Sequence, residues 1–172
     1  MSWQEQYLRI RRGLTRIAVP NKPREEHEDD LFHLFIDCWH LKDWIANDAG
    51  SISLEKRKKI VAAVHADEVV MACREIANAR KYLKLRRKRR GRALKPKASL
   101  IGEITLGEQS VVSYVVTDKK GKTTSTADEL AQRAVNRWGE ILTKHRLRLP
   151  VSYALGVVDF AALRADWTIR PA

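Results

Sequence analysis

The chain is poor in the residues that staple, anchor or break structure. It has two cysteines in 172 residues, Cys38 and Cys73, and no CxxC pair. Without such a pair a cysteine zinc site is not expected. Each thiol sits in an apolar helical pattern and reads as a reduced core residue, with a disulfide or a catalytic thiol as the alternatives. No apolar stretch reaches the roughly 20 residues that cross a bilayer, so no membrane partner is expected. The opening MSWQEQYLRIRRGL has neither a long apolar region nor a small-residue cleavage site. No secretory leader is therefore expected, and the cytoplasm is the expected compartment. No internal repeat and no cofactor motif is visible.

Positive charge is what the chain has in excess. Thirty-three Lys and Arg against 21 Asp and Glu give a net charge of +12 and a pI near 10.0. Such a surplus bears on partners rather than on fold, and nucleic acid is the first polyanion to consider. Hydrophobic residues at 44% and charged residues at 31% suit a folded domain, not a disordered segment.

The spacing predicts a mainly α protein, an antiparallel helical bundle in one domain over residues 1–172, with a β-hairpin inserted before the last long helix. Residues 1–26 read as an N-terminal arm: an amphipathic piece (Trp3, Tyr7, Leu8, Ile10, Leu14, Ile17), then a turn-like "VPNKPREEHEDD" broken by Pro20 and Pro23. Residues 27–98 read as a helical hairpin. Its first helix is expected over His27–Asn47 on a face of Leu31, Leu34, Phe35, Cys38, Leu41, Trp44 and Ile45, with Gly50 available for a left-handed cap. Its second, capped by Ser51 or Ser53, is expected to continue to about Arg90 unless it breaks early. In 99–126, "SLIGEITLGEQSVVSYVVTDKKGKTTS" is β-branched and alternating and reads as a hairpin with room for a third short strand. Thr126-x-x-Glu129 opens a helix over 127–146 as a capping box. The segment 147–172 is apolar and expected to dock, without an assigned element.

Polar residues recur where core faces belong. His33, Asp37, His40, Trp44 and Asn47 share one stripe of the first helix, and Asp67, Arg74, Asn78 and Tyr82 share one of the second. If the helices pack antiparallel, the stripes meet and must satisfy each other. The bland reading is a polar network or a solvated edge. The functional one is a phosphate or RNA site of His40, Asp43, Arg74, Asn78 and Lys81. There His40 would exchange a proton near neutral pH, and Arg74 or Lys81 would stabilise phosphorane charge. A metal set of His33, Asp37 and His40 is the third alternative, disfavoured because one helix would supply every ligand.

"CWHLKDWIAND" (38–48), followed by "ANARKYLKL" (77–85), resembles bacterial relatives of the HEPN superfamily. The resemblance implies a helical bundle, an association with RNA, and membership of a group in which RNases and dimers are common. A homodimer is therefore admitted alongside a monomer. The second helix of such relatives reads roughly Asn-x-x-Lys-His; Asn78 and Lys81 match, and Tyr82 stands at the His position. The Arg-x(4–6)-His cleavage signature is not met from Arg74, Arg80 or Lys81.

Eleven of the eighteen residues from Arg80 to Lys97 are Lys or Arg: Arg80, Lys81, Lys84, Arg86, Arg87, Lys88, Arg89, Arg90, Arg92, Lys95 and Lys97. Like charges one helical turn apart repel, so the run favours an anion that neutralises it. Phosphate contacts are expected here, RNA before DNA, with solvated surface and a membrane or targeting role as alternatives. Three functions follow: a nucleic-acid-binding protein, a metal-independent RNase using His40 with Arg74 and Lys81, or a protein-interaction module.

Overall fold

The computed structural model describes residues 2–20, 22–85, 99–105, 111–117 and 123–150. The fold is mainly helical, with a small antiparallel sheet between the fourth and fifth helices.

Helix α1 (Trp3–Ile17) starts at Ser2, whose hydroxyl accepts from Glu5 N at 3.3 Å while the Glu5 carboxylate accepts from Ser2 N at 2.6 Å. Trp3, Tyr7, Ile10, Leu14 and Ile17 lie on one face and are all buried. Residues 3–17 of the expected arm are thus part of the core, because a full apolar stripe runs along them. Contact with the next helix is close at Gly13, where a β-carbon would meet Leu34 Cδ1 at 3.3 Å.

Helix α2 (Arg24–Asn47) begins three residues earlier than the sequence suggests, directly after Pro23 at the cap position. Glu25 and Glu26 in its first turn face the positive end of the dipole. It is the central rod, packed against all four other helices. Its end depends on Asp48 rather than on Gly50: Asp48 accepts from Ser51 N at 3.0 Å and from Ser51 Oγ at 2.6 Å, an Asx turn that needs no left-handed residue.

The expected long second helix is two helices, α3 (Leu54–Ala66) and α4 (Glu68–Leu85). Asp67 separates them in an extended conformation (ψ 117°), and its Oδ1 accepts from Val69 N at 3.1 Å and Val70 N at 3.0 Å. Aspartate competes with the helix for its own backbone donors, so it caps the second piece instead of continuing the first. Asp67 therefore does not share a helical stripe with Arg74.

Strands β1 (Ser99–Thr105), β2 (Val111–Thr117) and β3 (Thr123–Thr126) form an antiparallel meander in the order β1-β2-β3. Ser99 pairs with Thr117 and Thr105 with Val111; the β2–β3 register shifts between Val116 and Thr117. The third strand anticipated from the alternation is present. Helix α5 (Ala127–Lys144) follows without a loop, through the anticipated capping box of Thr126 and Glu129. Its Trp138 is fully buried and donates from Nε1 to the Cys38 carbonyl at 2.9 Å, which ties α5 to α2. Leu147 and Leu149 still pack on the core; the expectation for the remaining C-terminal stretch concerns 151–172, outside the described residues. No described helix is long and apolar enough to cross a membrane.

Candidate nucleic-acid interface

Among the described side chains the two polar stripes make no hydrogen bond or ion pair with each other. Asp37, the buried member of the first, faces α1: Gln6 Nε2 donates to Asp37 Oδ1 at 3.2 Å, and Arg9 Nε lies 2.9 Å from Asp37 Oδ2. Asp67 faces α5, with Arg137 Nε at 2.8 Å and Nη2 at 2.7 Å from its Oδ2. His33 and His40 are exposed. The expected mutual network is thus replaced by two separate ones, because α1 and α5 cover the faces that the sequence assigns to a helical pair. Among the described residues no group of three or more His, Cys, Asp or Glu is arranged to hold a metal ion.

Around the candidate catalytic residues the structure builds a chain of contacts through Trp39. Lys42 Nζ lies 4.3 Å from the Trp39 ring centroid and Arg74 Cζ 5.5 Å, while His65 of α3 meets the ring edge-on at 5.5 Å. Lys42 also pairs with Asp43, whose Oδ2 is 3.1 Å from His40 Nδ1. Burial raises the Asp43 pKa, but hydrogen bonds from Lys42 and His40 outweigh it and bring the net value down. Asp43 therefore stays a carboxylate and orients the half-exposed imidazole.

His40, Asp43 and Arg74 thus belong to one contact chain, with Trp39 and Lys42 between them. His40 and Arg74 make no direct contact among the described residues. Arg74 Nη1 has Glu75 Oε1 at 3.9 Å, and Asn78 lies half-buried one turn further along α4. Trp39, Lys42 and His65 are the residues that sequence reasoning missed. The Trp-x-x-Lys spacing within "CWHLKDW" was a readable cue for one cation over the ring; the approach of His65 comes from the packing of α3 on α2 and had none.

Arg80, Lys81, Tyr82 and Lys84 belong to the last turns of α4, where only the backbone is described. Arg86, Arg87, Lys88, Arg89, Arg90, Arg92, Lys95 and Lys97 lie outside the described residues. The two thiols are free and fully buried. Burial first, then a hydrogen bond with Cys73, pushes the Cys38 thiol well up, which makes it a poor nucleophile. No family model matches the chain, and no curated protein or solved structure is similar to it.

Proposed function

We propose that the chain binds nucleic acid, RNA in preference to DNA, as a HEPN-like helical protein whose main contact is the 80–97 run. The observation that carries the reading is the density of that run, eleven cations in eighteen residues. It starts on α4, two turns after Arg74 on the indole of Trp39. Phosphate neutralisation of this kind gives affinity without sequence reading and a steep dependence on salt. A homodimer belongs to the same reading through the family resemblance, and analytical ultracentrifugation tests it.

Fluorescence anisotropy with a labelled single-stranded RNA over a salt series is the direct test. Affinity should fall steeply as salt rises, and the combined change of Arg86, Arg87, Arg89 and Arg90 to Glu should abolish binding. Unchanged binding by that variant overturns the assignment of the run. A second reading, metal-independent RNA cleavage, is favoured by the His40–Asp43 pair, which leaves an oriented imidazole at the surface. Total RNA incubated with the protein and with His40→Ala separates the readings: cleavage lost in the variant supports the RNase, and equal or absent cleavage removes it.

A further inference from the structure

Two basic segments distant in sequence lie side by side. Helix α3 opens with Lys56, Arg57, Lys58 and Lys59, and α5 ends at Lys144, followed by His145, Arg146 and Arg148. The packing of α3 on α5 brings them to one end of the bundle. The His145 imidazole registers the juxtaposition: burial, and then the charges of Lys144, Lys59 and Lys56, hold its pKa below the ordinary value.

Counter-charge is sparse there. Glu55 pairs with Lys59 at 2.6 Å, and Arg57 is turned inward, donating from Nη1 to the Ala46 carbonyl at 2.7 Å. Among the described residues Lys56, Lys58, Lys144, Arg146 and Arg148 have no carboxylate partner. A helix C-terminus accounts for one such cation through its dipole, not for five.

The backbone after α5 points the same way. Arg146 has φ 54°, the left-handed position that closes a helix and ordinarily carries glycine. Its N–H donates to Thr143 O at 2.9 Å, and Leu147 N–H donates to Leu142 O at 2.9 Å. The turn sends Leu147 and Leu149 onto the core and leaves Arg146 and Arg148 exposed.

We propose that Lys56, Lys58, Lys59, Lys144, Arg146 and Arg148 form a second contact surface for the phosphate backbone of a nucleic acid, separate from the 80–97 run. The proposal deepens the functional reading above and rests on it only in taking nucleic acid as the polyanion. A partner of this kind needs no groove, since backbone phosphates can be neutralised by cations on an open surface.

The test compares four full-length proteins by anisotropy with a labelled RNA over a salt series: the wild type, a patch variant (Lys58→Glu, Lys144→Glu, Arg148→Glu), the run variant above, and the combination. Circular dichroism melts confirm that each is folded, and Lys58→Gln with Lys144→Gln serves as a milder version. The patch variant should bind at least about tenfold more weakly. Its slope of log affinity against log salt should shrink by about 2, three phosphate contacts at about 0.7 each. Affinity and slope unchanged in the patch variant, with binding lost in the run variant, overturn the second surface and leave the run intact. Loss in the patch variant alone supports the surface and removes the run. Failure of the wild type to bind RNA, including a case where it binds only phosphatidylserine vesicles, overturns both.

Discussion

On the α1 side cations find acids, whereas on the α3 side most find other cations. On the first side Arg9 meets Asp37, and Arg16 and Lys22 both meet Asp30. Burial raises the Asp30 pKa, but hydrogen bonds from Lys22 and Arg16 prevail and lower it overall. On the other side Lys56, Lys59 and Lys144 crowd His145, with Glu55 in reach of Lys59 alone. Net charge therefore says little about where a polyanion would sit. Part of the surplus is consumed in holding α1 to α2, and a positive potential remains where neighbouring helices bring like charges together.

The sharpest way to break this contrast is Asp37→Ala. Asp37 is buried and accepts from Gln6, itself buried, as well as pairing with Arg9. Truncation removes one of the two acceptors of the Gln6 amide and leaves it only the Asp37 carbonyl at 3.3 Å, while half-exposed Arg9 can turn to water. The expected loss is about 1 kcal/mol, set mainly by the lost buried hydrogen bond from Gln6, and a denaturant melt should show it. Lys58→Ala on the other side should leave the midpoint unchanged. Equal losses for the two would mean that the two sides do not differ.

How much of this was legible in the sequence follows the same division. Apolar stripes announced α2 and α5, and the Thr126–Glu129 box placed the start of α5, because helical spacing and capping are local chemistry. The break at Asp67 was not legible from periodicity, since Val64 and Val70 continue a plausible stripe across it. The clue was Asp67 itself, a residue type that prefers a cap to a helix interior. The N-terminal segment showed its apolar face but not its partner. Of the candidate site, the His40–Asp43 pair lies within one helix turn and could be read, while the cations around His145 are brought together by tertiary packing alone.

A smaller change should sharpen the contrast by separating stability from binding. Arg146→Gly removes the strain of a β-carbon in the left-handed region and one exposed positive charge. The expected gain is about 1 kcal/mol of stability, seen as a higher melting midpoint, together with a measurable weakening of RNA affinity. A variant that binds RNA as tightly as the wild type would remove Arg146 from the surface.

The finest test is pH. His145 faces Lys144 on its own element and Lys56 and Lys59 from α3, with the acid Glu55 bound to Lys59. Its folded pKa is lowered, so the unfolded chain takes up the proton first. The contribution to stability is complete above the ordinary imidazole value of about 6.5. It fades as pH falls through the depressed folded value. Asp30, also lowered, keeps its contribution until pH falls below the ordinary carboxylate range, so the two sides should respond in separate windows. A small loss of stability on acidification from pH 7 should thus be present in the wild type and missing in His145→Gln, the difference between the two removing the other histidines. Bound phosphate reverses the sign, because it favours the imidazolium that the lysines oppose. RNA affinity should then rise through the same window in the wild type more than in His145→Gln. Superimposable profiles for the two proteins would show that no anion comes near the imidazole.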